Sequence, residues 1–246
     1  MKQGIYEVSL LEKYPVGLRY REPGQWNRVF HYAHVLATTT ENCHPGRGAV
    51  NTGTLQERAA NSVVNARAIG SKSVLMTALH DITLNQFAGG MMMYSDADSG
   101  HSRMDPILGN TAALTGATFT VFMKHVTTGR LTALDGATLV ANIFANVEYM
   151  ALGPPGFDTA VGVPMVPIPA DSFGWLQTWG IMIVAGGEAT GNLGNQREVV
   201  FGTNGAIFVK DAAYNEGYQT AGVLANRSWY DGGGQSGNTI ILMLHP

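Results

Sequence analysis

Seven histidines and a single cysteine are the side chains of this 246-residue chain best suited to metal or nucleophilic chemistry. His31 and His34 stand three apart, and Cys43-His44 follows. Imidazole and thiolate are zinc ligands, so the four could make a site if the segment folded back on itself. The residues around the two histidines read instead as strand, in two short pieces, Arg28–Tyr32 and His34–Ala37. A spacing of three in a strand turns side chains to opposite faces. Residues 94–103, Tyr-Ser-Asp-Ala-Asp-Ser-Gly-His-Ser-Arg, open like a calcium loop at Asp96 and Asp98. Gly100 occupies the third ligand position, however, and Ile107 stands where the closing glutamate belongs. Asp98, Ser99 and His101 are triad residue types, but they lie too close in sequence for triad geometry. This stretch is expected to be a solvated turn. Gly186-Gly187 and Gly232-Gly233-Gly234 open no expected helix, so no helix dipole would help them hold phosphate, and they read as hairpin tips. No serine or threonine sits in a nucleophile elbow. The expectation is a chain that is not an enzyme and has no cofactor and no metal.

The stretch Ser172 to Gly187, Ser-Phe-Gly-Trp-Leu-Gln-Thr-Trp-Gly-Ile-Met-Ile-Val-Ala-Gly-Gly, offers aromatic surface instead. Its β-branched and aromatic content, with Gly174 and Gly180 inside it, favours a strand over a helix. On strict alternation Trp175, Gln177, Trp179, Ile181 and Ile183 share one face. Leu176, Thr178, Gly180, Met182 and Val184 share the other. Neither face is charged, so the strand is expected to be covered on both sides within its own chain, or on one side by its own core and on the other by a partner chain. Tryptophans suit a core or a subunit seam, because they remove much apolar area at low entropic cost. Here they are expected at the seam of a homotrimer, with the Gln177 amide bonded to a neighbouring backbone. The other use of such residues is a ligand platform, with Trp175, Trp179 and Trp229 stacking on sugar rings.

The elements that must carry these residues are short. From Gly70 onward the chain alternates strand-like pieces with Gly, Asn, Asp and Pro clusters. The pieces are Ser73–Leu79, Gly90–Tyr94, Thr118–His125, Ala137–Val140, Gly180–Val184, Val199–Gly202, Gly205–Val209, Ala221–Ala225 and Asn238–Leu244. This pattern predicts an all-β fold, a β-sandwich or β-barrel. No helix of crossover length separates the strands, which argues against a parallel α/β sheet. Gly153–Gly156 and Pro164–Pro169 read as a rigid connection before the tryptophan strand. Residues 1–53 are broken by Pro15, Gly17, Pro23, Gly24, Pro45, Gly46, Gly48 and Gly53, and read as an extended N-terminal arm with a little strand pairing. Thr54 and Glu57 form a capping-box pattern for one helix over Thr54–Ala68, with Leu55, Ala59, Val63 and Ala66 on its stripe. The expected division is therefore an arm over 1–68 and a β domain over 69–246.

Composition narrows the function. Only 13% of residues are charged, about half the usual share, while 31 are glycine. Such a surface suits a protein packed against neighbours better than one alone in water. A net charge of −3 gives no footprint for nucleic acid and no basic segment for an anionic membrane, so neither partner is expected. One cysteine excludes an intrachain disulfide and a four-cysteine zinc site. Met1–Val8 lacks the apolar core of a signal peptide, and no apolar run reaches membrane-helix length, so synthesis in the cytoplasm is expected.

Several motifs, in order along the chain, resemble the capsid decoration, or cement, proteins of tailed bacteriophages. Tyr14-Pro15-Val16-Gly17-Leu18-Arg19-Tyr20 is similar to that family's Tyr-Pro-x-Gly-x-x-Tyr segment, and Arg28-Val29-Phe30-His31-Tyr32-Ala33 to its Arg-Val-Phe-x-Tyr-Ala. Ile69 to Thr77 resembles a glycine-led strand, and Asn85-Gln86-Phe87-Ala88-Gly89-Gly90 a Gln-Tyr-Ala-Gly-Gly turn. Phe173-Gly174-Trp175-Leu176-Gln177-Thr178-Trp179-Gly180 resembles Phe-Trp-Leu-Gln-Thr-Trp-Gly and is the most specific match. Tyr218 to Leu224, before a last apolar strand, completes the series. The resemblance implies a non-enzymatic virion component on the outer surface of the capsid, often a trimer, bound to the major capsid protein and stabilising the shell. The alternative is a receptor- or glycan-binding module of a phage head or tail fibre. The candidate interface is Tyr14, Pro15, Tyr20, Trp26, Phe30, Trp175, Gln177 and Trp179.

Overall fold

The computed structural model describes residues 2–37, 39, 41–51, 56–57, 70–95, 101–125, 137–150, 159–186, 197–210, 218–229 and 237–245. The fold is all-β, with two strongly curled antiparallel sheets that each form a half-barrel. Its only helical piece among the described residues is a 3₁₀ turn at Thr203–Gly205. The chain divides into two compact units, one made of Met1–Gly53 with Phe144–Pro246, the other of Thr54–Ile143. The boundary expected near residue 68 lies outside the described residues; the division by contacts instead makes the middle of the chain a unit of its own. Both N- and C-terminal parts build the other unit.

Numbered in chain order, the first unit holds β1 (Arg19–Arg21), β2 (Val29–His34), β3 (Ala49–Asn51), β10 (Val147–Tyr149), β11 (Ala160–Pro164) and β12 (Phe173–Ala185). It also holds β13 (Glu198–Phe201), β14 (Ile207–Val209), β15 (Thr220–Trp229) and β16 (Gly237–Met243). The sheet order is β10-β3-β11-β12-β16-β15-β13-β14, with β2 added on β12 and β1 on β2. The sheet curls until Gly186, just past β12, bridges Ile207 in β14. Met182, Val184, Val199, Phe201, Ile207, Ala221, Leu224, Ile240 and Leu242 fill the inside of that curl with Val50, Ala160 and Val163. Alternation is clear in the second half of β12 and in β16, whereas β3, β11 and β14 are buried along their whole length.

The second unit holds β4 (Gln56–Glu57), β5 (Ser73–Thr77), β6 (Met91–Ser95), β7 (Ser102–Asn110), β8 (Thr118–Met123) and β9 (Ala137–Val140). Their order is β4-β9-β6-β7-β8-β5, over a separate core that includes Val74, Met76, Phe87, Met92, Phe119, Val121 and Leu139. The helix expected over Thr54–Ala68 is corrected where it is described. Gln56 and Glu57 pair with Val140 and Leu139 of β9, so at the proposed cap the backbone bonds across a sheet instead of along a helix. The rest of that stretch lies outside the described residues, as do Asp96 to Gly100. Strand β7 runs through part of the stretch read as a turn; Pro106 and Gly109 hide it from a propensity reading, because both are poor strand residues.

The N-terminal arm runs irregularly over residues 2–18 and docks on its own chain. Ser9 bridges Phe173, and β2 lies in the sheet against β12. Pro15 to Leu18 is a turn in which the Leu18 N–H donates to the Pro15 carbonyl at 2.9 Å. Gly17, third in the turn, has φ +86°, the left-handed conformation that a type II turn needs there and glycine adopts without strain. A hairpin then joins β1 to β2, closed by Arg28, whose Nε and Nη2 donate to the Glu22 carboxylate at 2.6 Å each. That hydrogen-bonded cation holds the Glu22 carboxyl below its usual range.

Candidate functional site

The tryptophan strand, β12, is not a plain ladder. Opposite β2, Gln177 pairs with Phe30 and Trp179 with Val29, so one step on β2 spans two on β12. Thr178 is the extra residue of a β-bulge, and a bulge reverses the alternation beyond it. Gly180 follows at φ +94°, with the Arg28 Cα and the Trp26 and Asn27 carbonyls 3.1–3.2 Å from where a Cβ would stand. Both its conformation and its space exclude a side chain. Before the bulge both faces are buried, Trp175 in an aromatic cluster on one and Leu176 on the other; after it the even-numbered Met182 and Val184 face the core and the odd-numbered residues face outward. The expectation that Trp175, Gln177, Trp179, Ile181 and Ile183 share one face is therefore corrected: the bulge divides them into two sets.

The first set is interior to a single chain. Trp175 is 1% exposed and packs with Phe30 and Tyr32. Tyr14 sits 5.4 Å from both Tyr32 and Trp175 between ring centroids, and Tyr20 5.8 Å from Trp175. The arm seals the cluster with polar contacts. Trp175 Nε1 donates to the Gln3 carbonyl at 3.2 Å, and the Tyr32 hydroxyl to Gln3 Oε1 at 2.6 Å. The backbone N–H groups of Lys2 and Gln3 both donate to the Tyr14 hydroxyl. Gln177 is also buried. Its Nε2 donates to the carbonyls of Trp179, Gly180 and Ile181 at 3.0–3.3 Å, so it stitches the bulge of its own strand. The neighbouring backbone expected for this amide belongs to the same chain. Tyr14, Tyr20, Phe30 and Trp175 thus converge in one cluster of the chain's own, Phe30 and Trp175 buried and Tyr14 and Tyr20 half-buried, while Gln177 is buried opposite Phe30.

The second set faces outward. Beyond the bulge, Trp179 and Ile181 are half-buried and Ile183 is 68% exposed. On β16, Met243 lies opposite Trp179 and Ile241 opposite Ile181, exposed by 46% and 37%. On β15, half-buried Val223 lies opposite Ile241. Six neighbouring side chains on three strands therefore make one outward sheet face with no charge on it. At its margin the Glu198 carboxylate accepts from Lys210 Nζ at 2.8 Å and from the Thr220 hydroxyl at 3.0 Å. Those bonds hold the Glu198 carboxyl below its usual range. An apolar centre with a charged margin is the anatomy of a protein interface. Trp26, 54% exposed, lies on the β1–β2 hairpin whose backbone abuts Gly180, and Pro15 is exposed on its turn. Of the face, sequence reading singled out Trp179 as a site residue. Ile241, Met243 and Val223 were missed, although the unbroken apolar run Ile240–Leu244 is a signal of a strand apolar on both faces.

His31 and His245 pack near one another around Phe144, with ring centroids 6.4 Å apart, while His34 and His44 have other partners. His31 is buried, stacked on Phe144 at 4.4 Å, with Nδ1 3.1 Å from the Thr178 hydroxyl. Burial pushes its pKa down to about 4, with the nearby His245 and Arg19 adding to the shift. His34 points to Asp171 at 3.3 Å, and His44 packs on Tyr149. Cys43 is buried beside Ile168, its thiol pushed up to about 12 mainly by desolvation. Among the described residues no three His, Cys, Asp or Glu side chains gather as a metal site. Gly187 and Gly232–Gly234 lie outside the described residues, as does the side chain of Trp229. No family model, curated protein or solved structure matches the chain.

Proposed function

We propose that this chain is a non-enzymatic structural component of a tailed-phage virion, a decoration protein that binds the outer surface of the major capsid shell and stabilises it. The observation that carries an assembly role is the outward face of Trp179, Ile181, Ile183, Val223, Ile241 and Met243, an uncharged patch on a regular sheet. Contiguous exposed apolar surface of this kind marks a place where another chain packs. The capsid as its destination is supported by the motif series from Tyr14 to Leu224 and by the low charge of the whole chain. In this reading the face is the seam of a homotrimer, and the exposed Trp26 hairpin and Pro15 turn meet the shell. Many copies, each bound weakly, would resist internal pressure together. Burial of Trp175 in the aromatic cluster removes one of the three rings that a sugar platform would use.

The test joins sedimentation of the purified chain with co-sedimentation on expanded phage capsids. A trimer that pellets with capsids, and an Ile183→Asp chain that stays folded, monomeric and unbound, is the expected result. A wild-type monomer that ignores capsids would overturn the proposal, and saturable sugar binding by that monomer would replace it with the glycan-binding reading.

A further inference from the structure

Strand β5 ends the sheet of the second unit, and its outer edge is bare among the described residues. Its register against β8 fixes which groups are free. Met123 N–H donates to the Lys72 carbonyl at 2.9 Å, and Ala78 N–H to the Ala117 carbonyl at 2.8 Å. With Ser73 opposite Phe122 and Thr77 opposite Thr118, the even-numbered residues 72 to 78 bond to β8. Antiparallel geometry then turns the N–H and C=O groups of Ser73, Leu75 and Thr77 away from β8. Those three side chains are half-buried on the outer face, while Val74 and Met76 are anchored in the core. An open edge is a template for another strand, and proteins usually blunt it with lysine, proline, a bulge or an inward charge. Ser73-Val74-Leu75-Met76-Thr77 has none of these.

We infer that β5 is a self-association edge, pairing antiparallel with β5 of a second copy about a two-fold axis through Leu75. The strand is self-complementary in that register. Leu75 meets Leu75, and Ser73 of each copy meets Thr77 of the other, setting two hydroxyls in a favourable cross-strand pair. The three free residues coincide with the three hydrogen-bonded positions of the pairing, giving about six backbone bonds across the axis. No position brings like charges together, because none of the five residues is charged. The surface lies in the second unit and the proposed seam in the first, so this inference does not rest on the functional reading. If both hold, two-fold contacts at β5 would tie trimers to one another.

The experiment uses the full chain carrying Leu75→Cys, with Leu108→Cys, exposed on β7 away from this edge, as control. Cys43 is buried and does not compete. Paired Cα atoms across the axis would lie about 5.5 Å apart, within disulfide range. Mild oxidation is expected to give a covalent dimer for Leu75→Cys and none for the control. In parallel, Leu75→Pro removes only an outward N–H and should abolish the β5 contact in sedimentation without altering circular dichroism. Should Leu75→Pro misfold, the cross-link decides. Cross-linking no faster at Leu75 than at Leu108 would overturn the inference, whether the edge is unused or taken by a strand of another protein.

Discussion

Two tryptophans four residues apart do different work because one bulge separates them. Trp175 is enclosed by Tyr14, Tyr20, Phe30 and Tyr32, with its indole N–H bonded to the arm, whereas Trp179 lies half-buried on the outward face. Trp175→Ala should therefore cost about 3–5 kcal/mol in urea unfolding, and Trp179→Ala, in the isolated chain, much less. Equal losses would contradict the assignment of faces. His31 sets a second expectation at this scale. Its pKa falls from 6.5 to about 4 on folding, so the unfolded chain binds more protons between those values. Its contribution to stability is full above pH 6.5, declines as pH falls, and is lost below about 4. Thermal unfolding followed across that window should fall more steeply for the wild type than for His31→Gln. Parallel curves would mean that His31 titrates alike in both states.

Elements turn such residue differences into surfaces. Beyond the bulge, β12 presents Ile183 outward and Val184 inward to the core with Met182 and Leu242. An aspartate at each position tests that alternation with a change of one residue in sequence. Ile183→Asp should leave the isolated chain folded, within about 1 kcal/mol, because the side chain meets water. Val184→Asp buries a charge without a partner and should unfold the domain or cost several kcal/mol. Near-ultraviolet circular dichroism distinguishes the outcomes, and loss of native signal in Ile183→Asp would place that face in a core. Gln177 belongs to this scale too: its amide reaches three successive carbonyls and so holds the bulge that makes the two faces differ.

At the scale of the molecule, the first unit is assembled from both ends of the chain, and the second occupies the sequence between them. The junction is short in space within the first unit: Asn51 of β3 pairs with Val147 of β10, and its side chain donates to the Ala145 carbonyl at 2.6 Å. Each unit has a hydrophobic core of its own. Replacing Thr54–Ile143 with a short Gly/Ser connection should therefore leave a folded first unit with its aromatic cluster intact, detectable by tryptophan fluorescence and a cooperative melt. A chain that melts without cooperativity would show that the first unit needs the second.

The sequence by itself determined the all-β class, because period-two apolar patterning, β-branched runs and turn residues are local properties. It also marked β6, β8, β9 and β16 closely, the last through the run Ile240–Leu244. It located the tryptophan strand, but not which way the two rings face. That direction depends on one extra residue at Thr178, and a bulge is defined by the partner strand, which local sequence does not specify. The same holds for the arm. Its Pro and Gly punctuation predicts an extended path, whereas the surface it covers is set by Gln3 meeting Trp175 and Tyr32, contacts spanning up to 172 residues. Glu57 shows the competition from the other side, since a capping-box pattern yielded to pairing with a strand more than eighty residues away. Tertiary structure decides wherever a long-range partner offers the backbone and the side chain more than the local preference does.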